Sequence, residues 1–568
     1  MGQPFLASPQ NEAFYPFRVL SLITNFAQYE QAFVLFHTAI AILGMSVLVY
    51  DWSRNFPSAV LAGLAAGFHG FFLARVTDHS DFASMAWVPL AFFCLSRRST
   101  AALALTLCLQ WMAGFPPFSI LTIVGLGVLA ASFSEPKTYF WCLAKGAVLG
   151  GALSAVQGLP FLEMLRESQR ALLLDPGAAL AYSMDPWSLL RAWLLPGAVV
   201  ARLPFVVPDT DPAVTGFYLG PFILALSAWG FWKGGRRERV LAAGAAGACI
   251  LSLGSYTGFY GHIPFITVFR FPAHWLLLSS ALIIPVAAHG AARLADRRAA
   301  WVFIALVAVD FLGYAWPVHA SWGDLDFVAY TRVRVAGLDN IPAGTRIFHT
   351  DIIMRRIHLW KITEKEDWLV FKGLFTPSYG AAFGIRDVAG FFQLESRRNI
   401  AYRARLNAAP LGSPLFDNAG ISRIVTLTRE GALKPMPGWK DCGVFENSHP
   451  KPHAFSPEGR PVVIEEDRPG RCRCRVQGPA TVVYSESYYP GWMALIDGKK
   501  SPAEIFDDKF VSARVGAGEH LIEWYYFPRS VALGAGISLM ALLFWGGLLW
   551  FELRALQAGK LEGHQEHA

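Results

Sequence analysis

Apolar positions in the first 316 residues of this chain come in long runs rather than in alternation with polar ones. Runs of roughly 16 to 24 residues suffice to cross about 30 Å of hydrocarbon as helix. They fall at 31–50, 58–75, 83–96, 100–115, 117–133, 138–160, 216–232, 239–254, 272–292 and 300–316, and one more stands alone at 529–551. The pattern therefore predicts a polytopic α-helical membrane protein of about eleven spans. From 317 to 528 polar residues return, with frequent Gly and Pro. Phe327–Leu338 carries helical spacing, and 318–478 as a whole reads as mixed α/β. Between 479 and 528 the period becomes that of strands: Ala480–Ser487, Trp492–Ile496, Ser501–Phe506, Phe510–Val515 and His520–Phe527, with Asp497-Gly498 marking a tight turn. Five short strands predict a small antiparallel β-sandwich.

Loop charge orients these spans. Arg97-Arg98, Lys233 with Arg236, Arg237 and Arg239, and Arg293 with Arg297 and Arg298 fall in one alternate set of loops. Short loops rich in Lys and Arg face the cytoplasm. The expected organisation is then an exported segment 1–30, a helical membrane domain 31–316 with an exported loop 161–215, an exported α/β domain 317–528, a final span 529–551 and a cytoplasmic tail 552–568. Residues 1–30 lie outside with no span before them, so an upstream span is expected to be missing from this reading frame. Within 161–215, Asp185-Pro186-Trp187 is a helix start, and Trp187, Leu190, Trp193 and Leu194 share an apolar face suited to the membrane surface or to covering the bundle.

Composition agrees with this reading. Of 568 residues, 54% are hydrophobic and only 16% charged, with mean hydropathy +0.36, whereas soluble domains average roughly a quarter charged. The net charge of +7 is scattered over loops without a basic block, which argues against nucleic-acid binding. Cys94, Cys108, Cys142 and Cys249 sit in apolar runs as packing residues. Cys472 and Cys474 share a strand face, and Cys442 is open to pairing with either in an oxidising compartment. With no paired CxxC and no His ligand spacing, a zinc site is not expected and no cofactor is indicated, while dependence on a divalent metal stays open.

No GxSxG, HExxH, P-loop or GxGxxG motif is present. Candidate chemistry gathers where apolar runs meet loops. Arg75, Asp78, His79 and Asp81 form one group, suited to base chemistry or metal ligation, or to a solvated turn that caps the next span. Gln157, Glu163, Arg166, Glu167 and Arg170 form a second, suited to phosphate or to i, i+3 ion pairs. His262, Arg270 and His274 form a third, in which Arg270 is either functional or a snorkelling anchor. His37 and Asp310 are polar residues inside apolar runs, read as a bonded packing residue and a partly hydrated carboxylate.

The pieces GQPFLASPQNEAFYPF (2–17), GALSAVQGLPFLEMLRESQR (151–170), LSLGSYTGFYGHIPFITVFRFPAHW (251–275) and YYPGWMALIDGKKSPAEIFDDKFVSARVGAGEHLIEWYYFP (488–528) occur in this order. Together they resemble the YfhO-like bacterial membrane proteins, of the GT-C superfold of lipid-sugar-dependent glycosyltransferases. The resemblance implies transfer of a sugar from a polyprenyl-phosphate carrier to a cell-envelope glycan or glycolipid, outside the cytoplasmic membrane. It implies that Arg166, Arg170 or Arg270, with Glu163 beside them, bind the donor phosphate, and that Tyr15, Trp87, Trp187 and His262 contact sugar or acceptor. The family's base is an acid in the first exported loop. No residue here matches it, and Asp78, His79 and Asp81 are substitutes by location only, so the chain as given is open to being inactive. The alternative is a non-enzymatic membrane protein that binds envelope glycans or partner proteins through its exported β domain. A transporter is disfavoured by the lack of inverted repeats.

Overall fold

The computed structural model describes residues 4–169, 176–203, 212–263, 266, 270–294, 296–320, 338, 341–353, 380, 383–388, 390, 394–427 and 442–565. The Phe327–Leu338 helix expected from the sequence, most of the phosphate candidate Arg170's surroundings, Arg170 itself and the Cys442 side chain lie outside these. The chain divides into a helical unit (Phe5–Glu163, Leu172–Ser321, Ser530–Ala568) and a β-rich unit (Met1–Pro4, Met164–Ala171, Trp322–Arg529).

The helical unit corrects the span count. Among the described residues five helices are long and apolar enough to cross a membrane: Phe26–Ser53, Phe56–Leu73, Pro272–Ala292, Arg298–Pro317 and Arg529–Ala555. A sixth is reached if Pro136–Leu153 and Ala155–Glu167, bent by 82°, count as one. The other apolar runs are cut short. The run at 83–96 breaks at Trp87 into helices of 8 and 9 residues, with Pro89 opening the second. The runs at 216–232 and 239–254 become Gly220–Lys233, 14 residues, and Arg236–Ser252, whose first turn is charged. The runs at 100–115 and 117–133 become Thr100–Met112 and Pro116–Ser132, of 13 and 17 residues. At 1.5 Å per residue these fall short of the roughly 20 residues that a full crossing takes. Hydropathy averages over a window and does not register the turns inside it. Several long apolar helices nonetheless make this a multi-pass membrane protein.

Local sequence sets the helix ends. Asn25 accepts from the Gln28 amide at 2.9 Å while the Gln28 side chain accepts from the Asn25 amide at 3.2 Å, a reciprocal capping box for Phe26–Ser53. Along that helix Phe33, His37, Ala41 and Leu48 turn inward, and Leu35 and Leu43 turn out. Asp310 is not a hydrated carboxylate. It is buried, its Oδ1 accepts from the Gly197 amide at 2.8 Å, and its Oδ2 accepts from the Tyr218 hydroxyl at 2.6 Å. One side chain thus ties the Gly197 turn and the start of Gly220–Lys233 to the Arg297–Ala320 helix.

The β-rich unit holds two sheets. In the first, β1 (Arg346–His349) runs parallel to β2 (Arg386–Asp387) and to β3 (Ile421–Leu427), and β4 (Cys442–Glu446) is antiparallel to β3. The second contains β5 (Ala454–Phe455), β6 (Val462–Arg468), β7 (Arg471–Ser487), β8 (Trp492–Ile496), β9 (Lys499–Pro502), β10 (Glu504–Phe506) and β11 (Phe510–Tyr526) in the order β5-β7-β11-β8-β9, with β6 on β7 and β10 on β11. The expected closed sandwich is absent among the described residues. Two of the strands read separately from the sequence are halves of β11, which pairs with β7 along nearly its whole length across an irregularity at Val515/Gly518. A single open sheet therefore forms where two facing ones were expected. Asp497 and Gly498 both have positive φ, 51° and 76°, as a two-residue hairpin turn between β8 and β9 requires. Cys472 and Cys474 both point into the core, where Tyr484 stacks on Trp524 with ring centroids 5.7 Å apart.

Replacing Asp310 by Leu leaves the Gly197 amide without its acceptor and the Tyr218 hydroxyl with only the Leu195 carbonyl, at 3.2 Å. It is expected to cost roughly 2–4 kcal/mol in detergent unfolding measurements, against about 1 kcal/mol for Tyr218→Phe. Parent-like stability of Asp310→Leu would contradict the clamp.

Candidate functional site

A group of interior titratable side chains in the helical unit surrounds the stretch from Phe5 to Leu22. This stretch is built from three short turns, Phe5–Ala7, Pro9–Asn11 and Pro16–Leu22. It is seated from several directions. The Gln157 side-chain amide donates to the Pro9 carbonyl at 3.3 Å. Gly114, at φ +105°, lies so close that a Cβ there would sit 2.7 Å from the same carbonyl oxygen. Tyr15 is held in a buried chain of hydrogen bonds. His37 Nδ1 lies 2.7 Å from the Phe33 carbonyl, which only accepts, so Nδ1 carries the proton and Nε2 accepts from the Tyr15 hydroxyl at 2.6 Å. Trp87 Nε1 donates to the same hydroxyl oxygen at 3.1 Å. Tyr15 and Trp87 are therefore brought together, as interior partners of His37 rather than as open sugar platforms.

Between the Pro9 turn and Tyr15 sits Glu12, only 1% exposed and at φ +51°, a conformation that costs an L-residue roughly 1–2 kcal/mol. Among the described residues no hydrogen-bond donor reaches either carboxyl oxygen. Arg18 Nη1 approaches no nearer than 3.9 Å, and that guanidinium also lies 3.4 Å from the Tyr29 hydroxyl. Burial pushes the Glu12 carboxyl up to about 7, with the charges of His79 and Arg18 opposing the rise and Glu30 adding to it. A carboxyl that is buried, strained, unbonded and half-ionised near neutral pH has the properties of a general base awaiting a donor.

The expected site residues distribute unevenly around it. His79 pairs with Glu30, its Nε2 2.6 Å from Glu30 Oε2. Asp81 turns the other way, 3.8 Å from Arg75 Nε. Arg75 is fully buried; it donates to the carbonyls of Phe71 at 3.1 Å and Val214 at 2.7 Å and covers the Phe71 ring at 3.6 Å. Asp81's carboxyl is pushed well above the usual range by burial, against the pull of Arg75. Phe118 links this group to the third cluster, since Arg75 lies 5.7 Å from its ring centroid and the His274 ring 5.1 Å. Asp78 is exposed and precedes the His79–Ala86 helix. His262 and Arg270 are exposed, and the Arg270 guanidinium stacks 4.8 Å from the Phe271 ring centroid. Trp187 is exposed on the Pro186–Leu194 helix, capped by Asp185 through the Ser188 amide at 2.8 Å. Glu163 and Arg166 fall in different compact units. Glu12 is the residue that sequence reading missed; the signal available was a lone acid in an otherwise uncharged piece, GQPFLASPQNEAFYPF.

Comparison with known proteins adds little. No family model and no curated protein matches the chain. A cryo-EM structure of the arabinofuranosyltransferase AftD from Mycobacteria aligns with 91% of this chain at 10% identity and a TM-score of 0.44. This chain spans about half of that one, 53% of its length. At that TM-score the likeness fixes neither fold nor activity.

Glu12 makes stability depend on pH in a defined direction. Its carboxyl loses a proton at the ordinary 4.5 when unfolded and at about 7 when folded. The native state is therefore progressively disfavoured as pH rises through that window. Glu12→Gln, which cannot ionise, is expected to match the parent at pH 4 and to exceed it above pH 7 by up to about 3 kcal/mol. A constant difference across that range in detergent unfolding measurements would contradict the burial of an ionisable Glu12.

Proposed function

We propose that the protein is a GT-C-type membrane glycosyltransferase that moves a sugar from a polyprenyl-phosphate carrier to a cell-envelope hydroxyl on the outer face of the cytoplasmic membrane, with Glu12 as general base. The single observation that carries this reading is the buried Glu12 carboxyl with no donor among the described residues. The sequence resemblance supplies the reaction class and the side of the membrane, and the apolar helices suit a lipid-linked donor.

In this reading the acceptor oxygen attacks the anomeric carbon as the bond from that carbon to the phosphate oxygen breaks. The hydroxyl proton passes to a Glu12 oxygen, and polyprenyl phosphate departs with the bonding electrons. The acceptor hydroxyl supplies the hydrogen bond that Glu12 lacks, so desolvation of the carboxylate is relieved as the proton moves. Arg270, exposed before the Pro272–Ala292 span, is the cation assigned to the leaving phosphate.

The test is transfer from a labelled polyprenyl-phosphate sugar in proteoliposomes. Glu12→Gln is expected to lower the transfer rate by about 10²–10⁴-fold, and the parent rate is expected to rise with pH through about 7. Arg270→Ala is expected to lose at least about tenfold. Transfer by Glu12→Gln at the parent rate would remove the proposal, as would binding of envelope glycans by a parent that transfers no sugar from any such donor.

A further inference from the structure

The Pro186–Leu194 helix carries two apolar faces, and the described residues cover one of them. At about 100° per residue, Leu189, Ala192 and Trp193 fall on one side. There Ala192 is buried, and Leu189 and Trp193 pack on the core of the helical unit, with the Trp193 ring centroid 5.7 Å from that of Phe217. Trp187, Leu190 and Leu194 fall on the opposite side and are 57%, 48% and 54% exposed. Arg191 stands at the edge of this outer face, its guanidinium 5.4 Å from the Trp187 ring centroid. Backbone bonds hold the helix in this orientation. Just before it the Met184 amide donates to the Ser252 carbonyl at 2.8 Å, within it the Ala192 carbonyl accepts from the Leu219 amide at 3.2 Å, and just past it the Gly197 amide donates to Asp310 at 2.8 Å. Its nine residues make about 14 Å of helix, less than half of a bilayer crossing.

The span beneath fixes the level of this anchor. The turn that follows the helix, Gly197–Val200, lies directly on the Arg298–Pro317 span: a Cβ on Gly197 would sit 2.8 Å from the Tyr314 Cβ, and one on Gly313 would sit 3.2 Å from the Ala198 Cβ. Asp310 and Tyr314 stand about 10 and 5 Å from the Pro317 end of that span at 1.5 Å per residue. Roughly 5–10 Å is the depth to which the apolar face of an interfacial helix sinks. The same span turns Val309, Leu312 and Trp316 outward, and a tryptophan near the end of a span marks the headgroup level. The short helix therefore joins a lipid-facing span at interfacial depth, with a second apolar face turned away from the protein. We propose that Trp187, Leu190 and Leu194 are inserted in the headgroup–acyl boundary of the bilayer, so that the helix lies along the membrane surface with Arg191 at the level of the lipid phosphates. The partner is a phospholipid surface rather than a sugar on Trp187, and the proposal stands apart from the role of Glu12.

The experiment uses nitroxide labels on Leu190→Cys and Leu194→Cys, each in the full-length protein in phospholipid nanodiscs, with the labelled parent as the background from native thiols. Electron paramagnetic resonance compares collisions with oxygen, which concentrates in lipid, and with a water-soluble nickel chelate. Leu312→Cys supplies the lipid-facing reference, and Val463→Cys, exposed on β6, supplies the water-facing one. Both helix labels are expected to favour oxygen as Leu312→Cys does, at a depth of roughly 5–10 Å below the phosphates. Nickel accessibility like that of Val463→Cys overturns the proposal. So does exclusion of both reagents, which means that protein covers the face; dipolar broadening between labels then identifies a second copy of the chain, and its absence the β-rich unit. A parallel measurement on the parent needs no substitution: a phospholipid with a photoreactive group near its headgroup is expected to label residues 187–194 as well as the outward residues near Trp316, and labelling of the span without the helix overturns the proposal.

Discussion

The structure depends on a carboxyl group kept from water with no hydrogen-bond donor among the described residues. Removing an ionised carboxylate from solvent costs several kcal/mol unless hydrogen bonds or charges replace the lost hydration. Glu12 receives no hydrogen bond among the described residues and only a distant guanidinium. The packing around it is correspondingly firm: the Pro9 carbonyl is held by Gln157 and pressed on Gly114, and Tyr15 is locked to His37 and Trp87. Such a site is costly at rest and becomes favourable when a hydroxyl enters. That is the arrangement expected where binding energy is used in the transition state rather than in the ground state.

The neighbouring ionic groups show the contrast. Arg75 is equally buried, yet its guanidinium has two carbonyls, an aromatic face and Asp81 around it. Asp310 is satisfied by an amide and a hydroxyl. In the β-rich unit, Glu486 lies between Arg346, 3.2 Å away, and His453, 2.8 Å away, and its carboxyl is held well below the usual range by those partners despite burial. These groups hold elements together. Glu12 differs because nothing nearby completes it, and the same comparison makes Asp81 a weaker candidate base than its place in the sequence suggests.

Much of the architecture was legible before the coordinates. Continuous apolar runs announce membrane helices, and five of the eleven expected runs are long helices in the structure. The Asp185 cap and the Asp497-Gly498 turn are where their side-chain chemistry places them. The failures have a common cause. A run of hydrophobic residues says nothing about a turn inside it, so Trp87-Val88-Pro89 and the charged start at Arg236 were read through as span or loop edge. The strands of the second sheet were found piecewise, but register across a whole sheet is a long-range property, and two halves of β11 looked like separate strands. At the site, His79 stood out because it sits between acids. Its partner Glu30 and the buried Glu12 did not, because each is a lone charge among uncharged neighbours, and the burial of Glu12 is set by the fold alone.

The most direct test of the account is a cryo-EM map of the full chain in nanodiscs with a non-hydrolysable polyprenyl-phosphonate sugar and a simple glycan acceptor. The account places an acceptor hydroxyl about 3 Å from a Glu12 oxygen, with the anomeric carbon beyond it and the phosphonate facing a cationic side chain. An acceptor or donor headgroup seated elsewhere in the chain, with the Glu12 carboxyl still enclosed and unbonded, would contradict it.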